Sequence, residues 1–182
     1  MKRLTLTRAR AVVAVVATAG MVGASGGWAQ APQKNTISFS VPAANTKYTQ
    51  QHALDVGDMP GHQIRIFENH RTFPNDPPAF AGVRVRDFVT RAATDLVDND
   101  GRVSGYVVFI LANGDNVFGR LEGTTRASVG QSGGRRTAMV NIVLTGGTGK
   151  FQGIRGTLQQ SSVAEPSKGY NESKFEGVYW ME

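Results

Sequence analysis

Glu68 and His70 stand two residues apart in the run HQIRIFENH, and all three histidines of the chain fall between residues 52 and 70. A carboxylate beside an imidazole suits general acid–base work, because histidine titrates near neutrality and a held carboxylate stabilises developing positive charge. Two histidines and a glutamate also form a ligand set for zinc or iron. In an extended strand His62, Ile64, Ile66, Glu68 and His70 share one face. Eight residues, however, span about 26 Å when extended, so His62 and His70 cannot share an ion without a bulge or turn. No His-x-His pair occurs, and no metal is assigned. Glu68 also reads as a solvated charge at a strand end, since buried carboxylates are rare unless paired.

The second candidate is TGGTGKFQGIRG, Thr145 to Gly156, with five glycines and a lysine after the apolar run VNIVL. A phosphate-cradling Walker loop needs a first glycine, four residues, then Gly-Lys and a hydroxyl residue. Here Leu144 stands at the first position and Phe151 follows Gly149-Lys150. A dinucleotide fingerprint fails as well, because Gln152 occupies its third glycine position and no helical pattern follows. The stretch reads instead as a sharp corner between strands, with Phe151 and Ile154 plugging one end of the fold.

Charge and ends narrow the setting. MKRLTLTRAR, then AVVAVVATAGMVG, then an Ala-x-Ala pattern at Ala29 to Ala31 read as a secretory signal peptide over residues 1–31. The apolar stretch is short for a bilayer span, so no membrane association is expected after removal, and the protein is placed as secreted or periplasmic. Taking Lys2, Arg3, Arg8 and Arg10 from the 20 basic residues leaves 16 against 14 acidic, a balance of +2. No basic stripe tracks a phosphate backbone, so nucleic acid is not an expected partner. The absence of cysteine excludes a lipoprotein anchor and a disulfide scaffold. Residues 32–182 suit a single domain with a substantial core.

Through that domain the apolar period is two. TISFSV, HQIRIFE, VRVRDFVT, SGYVVFIL, NVFGRLEGTT, TAMVNIVL, IRGTLQQSSV and SKFEGVYW give eight strands, separated by NDPP, DNDG, ANGD, SGGR, GGTG and EPSKG turns. Many runs are apolar on both faces, so the sheet must be covered or closed. A closed eight-stranded antiparallel β-barrel is expected, with a sandwich as the alternative. The DNDG and ANGD turns predict a three-strand meander from Val83 to Arg126. AANTKYTQQHALDVGDMPG, residues 43–61, reads as a lid or a long connection.

LTGGTGKFQGIRGTLQQ resembles the corner segment of the allene oxide cyclase and dirigent superfamily. IFENHRTFPNDPPAF, VRDFVT and GRVSGYVVFILANGD resemble further cyclase segments, so the likeness spans residues 64–163. It implies a closed eight-stranded barrel, a homotrimer, and an apolar lumen for one small hydrophobic substrate. It further implies that Glu68 is the lumen glutamate that stabilises developing positive charge. His70 falls where the family has an asparagine that holds a water, Pro77 or Pro78 matches the proline, and Asp87 matches an acidic position. No cofactor is implied.

Among the other polar residues, Tyr106 and Asn141 lie on apolar strands and read as structural hydrogen-bonders or as lumen anchors. Arg84, Arg86 and Arg91 read as outer-face charges, and Tyr179 and Trp180 as core or subunit contacts. Two functions fit: a secreted cyclase or isomerase acting through Glu68 and His70, or a non-catalytic barrel that shelters an apolar ligand. An inward, isolated Glu68 separates the first from the second.

Overall fold

The alternation seen in the sequence becomes ten antiparallel strands. The computed structural model describes residues 32–128 and 135–182. The leader reading of residues 1–31 and most of the SGGR turn lie outside the described residues. The strands are β1 (Asn35–Val41), β2 (Thr46–Asp55), β3 (His62–Thr72), β4 (Ala79–Phe80), β5 (Val83–Val97), β6 (Asp100–Leu111), β7 (Asn116–Ala127), β8 (Arg136–Gly147), β9 (Ile154–Glu165) and β10 (Tyr170–Met181). Their order is β1-β10-β9-β8-β7-β6-β5-β3-β2, with β4 paired to the start of β5. Among the described residues no helix is long and apolar enough to cross a membrane.

Two strands exceed the eight expected. The larger addition is β2, inside the segment read as a lid or connection. Nearly all of TKYTQQHALD is exposed, so this edge strand carries no apolar alternation to betray it. The short β4 contributes Phe80, which is fully buried.

The meander β5-β6-β7 forms as expected. Its first turn is tighter than DNDG suggests: Val97 pairs with Asp100, and Asp98 and Asn99 both take positive φ, 51° and 71°. Those are the left-handed angles of a two-residue hairpin, which Asp and Asn tolerate better than most side chains. The glycine-rich stretch is a corner, with a 3-10 turn over Gly149–Phe151 joining β8 to β9. Gly149 has φ 51°, and a Cβ there would strike the Asp115 carboxylate. Phe151 and Ile154 are fully buried at this end. The corner packs; it leaves no phosphate cradle.

One face of the sheet is enclosed. Phe39 of β1 lies 6.4 Å from Phe88 of β5 and 6.5 Å from Phe109 of β6, centroid to centroid. These strands are remote in the sheet order, so the sheet curls round its own buried face. Close strand approach assists the curl: a Cβ on Gly177 would meet the Thr157 carbonyl oxygen and lie 2.7 Å from the Leu158 Cα. Hydrogen bonding does not complete the circle. β1 and β2 remain the two edges, and no ladder joins them among the described residues.

The enclosed face has two halves. One is an aromatic core in which Phe88 stacks on Phe109 at 4.2 Å and Phe39 stacks on Phe175 at 4.6 Å. Phe80 meets Phe109 and Tyr179 edge-on at 5.1 Å each. Tyr179 is buried, and its hydroxyl accepts the Ala81 N–H at 2.8 Å. The other half is polar and surrounds a cavity.

Candidate functional site

β3 determines what that cavity contains. Successive strand residues point to opposite faces, and on β3 the odd positions Phe67, Asn69 and Arg71 face the interior. Asn69 and Arg71 are each 1% exposed. A cavity of about 40 Å³ lies there, room for roughly three water molecules. Its lining mixes apolar Phe67, Val103, Leu121 and Val140 with polar Asn69, Arg71, Thr94 and Arg136.

Arg71 forms the floor between the halves. Its guanidinium carbon sits 5.1 Å from the Phe88 ring centre and 5.8 Å from that of Phe175, within cation–π range. Nη1 donates to the Thr90 hydroxyl at 2.8 Å, and Nη2 to Asn171 Oδ1 at 3.4 Å. The Asn171 oxygen also accepts from the Ser173 hydroxyl at 2.9 Å, and Asn171 Nδ2 donates to the Tyr48 hydroxyl at 3.2 Å. β3, β10 and β2 are thereby tied across the interior. Burial pulls the Arg71 pKa down to about 10. Arg136, 5% exposed, is lowered too, first by burial, while Tyr48 acts in the opposite sense and the like charge of Arg65 adds to it.

Among the described residues, four buried polar atoms have no hydrogen-bond partner: Asn69 Oδ1, Arg71 Nε, Thr94 Oγ1 and Arg136 Nη1. All four belong to residues lining this one cavity. Among the described residues its lining includes two arginines and no Asp or Glu. A second hollow of about 90 Å³ shares Tyr48, Phe67 and Arg136 with it and adds Arg65, Gln51 and His52. Gln51 and His52 are exposed, so this hollow opens to solvent. It too has no acidic residue in its lining.

The residues singled out from the sequence lie elsewhere. His62, Ile64, Ile66, Glu68 and His70 do share a face of β3, but it is the outer one. Glu68 accepts from the Thr49 hydroxyl and, at 2.7 Å, from Arg91 Nε. Those bonds, the threonine's first, hold its carboxyl below the usual range against the opposing effect of burial. His70 Nε2 contacts Asp87 Oδ1 at 3.0 Å, also outside the cavity. Pro78 is buried, its carbonyl accepting the Val85 N–H at 2.8 Å, and Pro77 is half-buried beside it. Tyr106 is 61% exposed and Asn141 is exposed. None of the six is in the lining of this cavity. Arg84, Arg86 and Arg91 coat the outer face as read.

The reason is parity. Ile64 and Ile66 suggest that the even positions of β3 face a core, yet they are 42% and 61% exposed. Arg71 and Asn69 are polar and look solvent-facing. The available signal was Asn69 and Phe67 two and four residues before Arg71, with Thr90 and Thr94 at matching parity on the strand that pairs with β3.

Among the described residues no group of three or more His, Asp or Glu side chains could hold a metal. His62 instead bridges two carboxylates, with Nδ1 2.6 Å from Asp58 and Nε2 2.8 Å from Asp95. Asp95 first, then Asp58, raises the His62 pKa above its ordinary 6.5, and the His62 bond lowers Asp58 below 3.8. The raised base stabilises the fold below its ordinary pKa, and that contribution disappears as pH rises through the raised value. The lowered acid contributes above its ordinary pKa and fails as pH falls through the lowered one. Protection of the 56–61 loop amides, taken relative to their intrinsic exchange rates, is therefore expected to be greatest between the two values and to fall on the alkaline side. His62→Gln should flatten the alkaline limb; an unchanged limb in that variant would assign the protection elsewhere.

No family model matches the chain, and no curated protein matches it at a significant level.

Proposed function

We propose that residues 32–182 form an exported small-molecule-binding barrel, whose ligand occupies the interior beside Arg71. In this reading the curled sheet acts as a closed container, with its β1 and β2 edges meeting without a ladder. The observation that carries it is the grouping of all four unpartnered buried polar atoms around one internal cavity. Orphaned buried donors and acceptors cost roughly 1–3 kcal/mol each. Their clustering on one cavity, beside apolar side chains, is the lining of a ligand site. Secretion rests on the pattern of residues 1–31. A homotrimer, as the family resemblance implies, would cover exposed Tyr106, Met139 and Val143 on the outer face.

A second reading keeps catalysis but moves it. Guanidinium groups in a water-poor interior stabilise developing negative charge strongly, so a cyclase or isomerase using this cavity would employ Arg71 and Arg136 as oxyanion donors. Glu68, held on the outer face by Thr49 and Arg91, has no place in that chemistry.

The test is methyl NMR of Val103, Leu121 and Val140 during titration with small neutral and acidic compounds, using outer-face Val143 as the reference. Shifts confined to the three inner residues support the container. Shifts at Val143 alone, or at none of the four, sink it. Glu68→Gln is expected to leave the inner response unchanged and to cost at most about 1 kcal/mol of stability, the range for an exposed ion pair. Loss of inner binding in that variant would return the site to the outer face of β3.

A further inference from the structure

Resting on the binding reading, we propose that the cavity recognises a carboxylate, the head of a small organic acid shared by the guanidinium groups of Arg71 and Arg136. Water can satisfy an orphaned N–H, but it cannot neutralise a cation. The cavity lining holds two arginines, 1% and 5% exposed, and no acidic side chain; the adjoining hollow adds Arg65 and again no acid. Buried charges in folded proteins are paired, so the counter-charge is a solute's to supply.

The chemistry of the lining narrows the anion. Guanidinium forks match planar carboxylates in pairs of parallel hydrogen bonds, and Arg71 Nε and Arg136 Nη1 are the donors left without partners. Thr94 Oγ1 and Asn69 are neutral groups beside them. Phe67, Val103, Leu121 and Val140 in the same lining accommodate a short alkyl body, which chloride and phosphate lack. A cavity of about 40 Å³, roughly three waters' worth of room, takes the carboxylate group itself, and a short alkyl tail extends into the adjoining hollow of about 90 Å³. The basic hollow at Arg65 and Arg136 gives the anion an attractive approach.

Propionate and propionamide are near-isosteric probes that differ in charge. With the mature domain at neutral pH and fixed ionic strength, propionate is expected to bind roughly ten- to a hundredfold more tightly than propionamide, the margin of charge-assisted over neutral hydrogen bonds. It should also shift the Arg71 Nε–H resonance in 15N-labelled wild-type protein, a readout that needs no variant to fold. Arg136→Gln should weaken propionate by a similar factor and leave propionamide nearly unchanged. Equal binding of the two probes would overturn the carboxylate while leaving the container intact. Equal competition by chloride or inorganic phosphate would overturn it in favour of a plain anion site. If neither acids nor neutral compounds perturb Arg71 or the inner methyl groups, the container reading falls with it.

Discussion

Replacing Arg71 by methionine is expected to make the ligand-free protein more stable, by about 1–3 kcal/mol. The guanidinium lies in the interior with no acidic partner in the cavity lining, and burial draws its pKa to about 10. A displacement of that size is on the order of 3 kcal/mol against the charged form. Contacts to Thr90, Asn171, Phe88 and Phe175 offset part of it. Methionine fills much of the same volume, suits the aromatic floor and carries no charge. Asn171 keeps its bond from Ser173. Urea denaturation with and without propionate measures both sides: the midpoint should rise without ligand, and the stabilisation by propionate should vanish. A lower midpoint would mean that the hydrogen bonds and ring contacts outweigh the cost of burial. The pH dependence carries the same signature. A base whose folded pKa is depressed leaves the unfolded chain holding more protons, so wild-type stability should climb with pH above about 10. The methionine variant should lack that climb. Retaining a residue that costs stability is the pattern of a functional site.

Phe109→Ala is expected to cost about 3–5 kcal/mol, the range for emptying a buried aromatic position. Phe109 is fully buried, stacks on Phe88 at 4.2 Å and meets Phe80 and Phe39 edge-on. It therefore joins β6 to β5, β4 and β1 in a single cluster. Against a typical total of about 5–15 kcal/mol, the loss would leave the domain marginal. The denaturation midpoint checks it, and a loss below about 1 kcal/mol would show that the neighbouring rings close the void. Phe88 touches both Phe109 and Arg71, so a void at Phe109 should also loosen the cavity floor.

Strand positions were legible wherever one face is apolar and the other polar. β10 shows this well: Phe175 and Tyr179 are buried, while Glu172, Lys174 and Glu176 are exposed. The GGTG corner was legible because Phe151 and Ile154 have no other use. The β2 strand was not, since an exposed edge strand imposes no period on its side chains. The inward face of β3 was not legible for a related reason. Period-two patterns assign faces by polarity, and on β3 the polarity is reversed: isoleucines face outward, and an arginine and an asparagine face in. A polar interior defeats the rule that finds interiors. The cross-strand company of Arg71 reveals it: Thr90 lies on the neighbouring strand, and Asn171 comes into hydrogen-bonding reach once the sheet has curled.

Among the described residues the first strand has a single ladder partner, and it is the last: Asn35 pairs with Tyr179 and Val41 with Ser173. The other ladders join strands close in sequence and can form as each hairpin emerges. β1 must wait. On a ribosome working from the amino terminus, Ile37, Phe39 and Val41 emerge ahead of strands β2 to β9 and find Phe175 only after those strands have been made. For a chain that crosses a membrane unfolded, as the proposed export requires, this delay is useful: the amino-terminal segment stays extended for the translocation machinery. The same delay makes that segment the stretch that a holding chaperone should grip, and truncation before β10 should leave it uncovered and prone to aggregate.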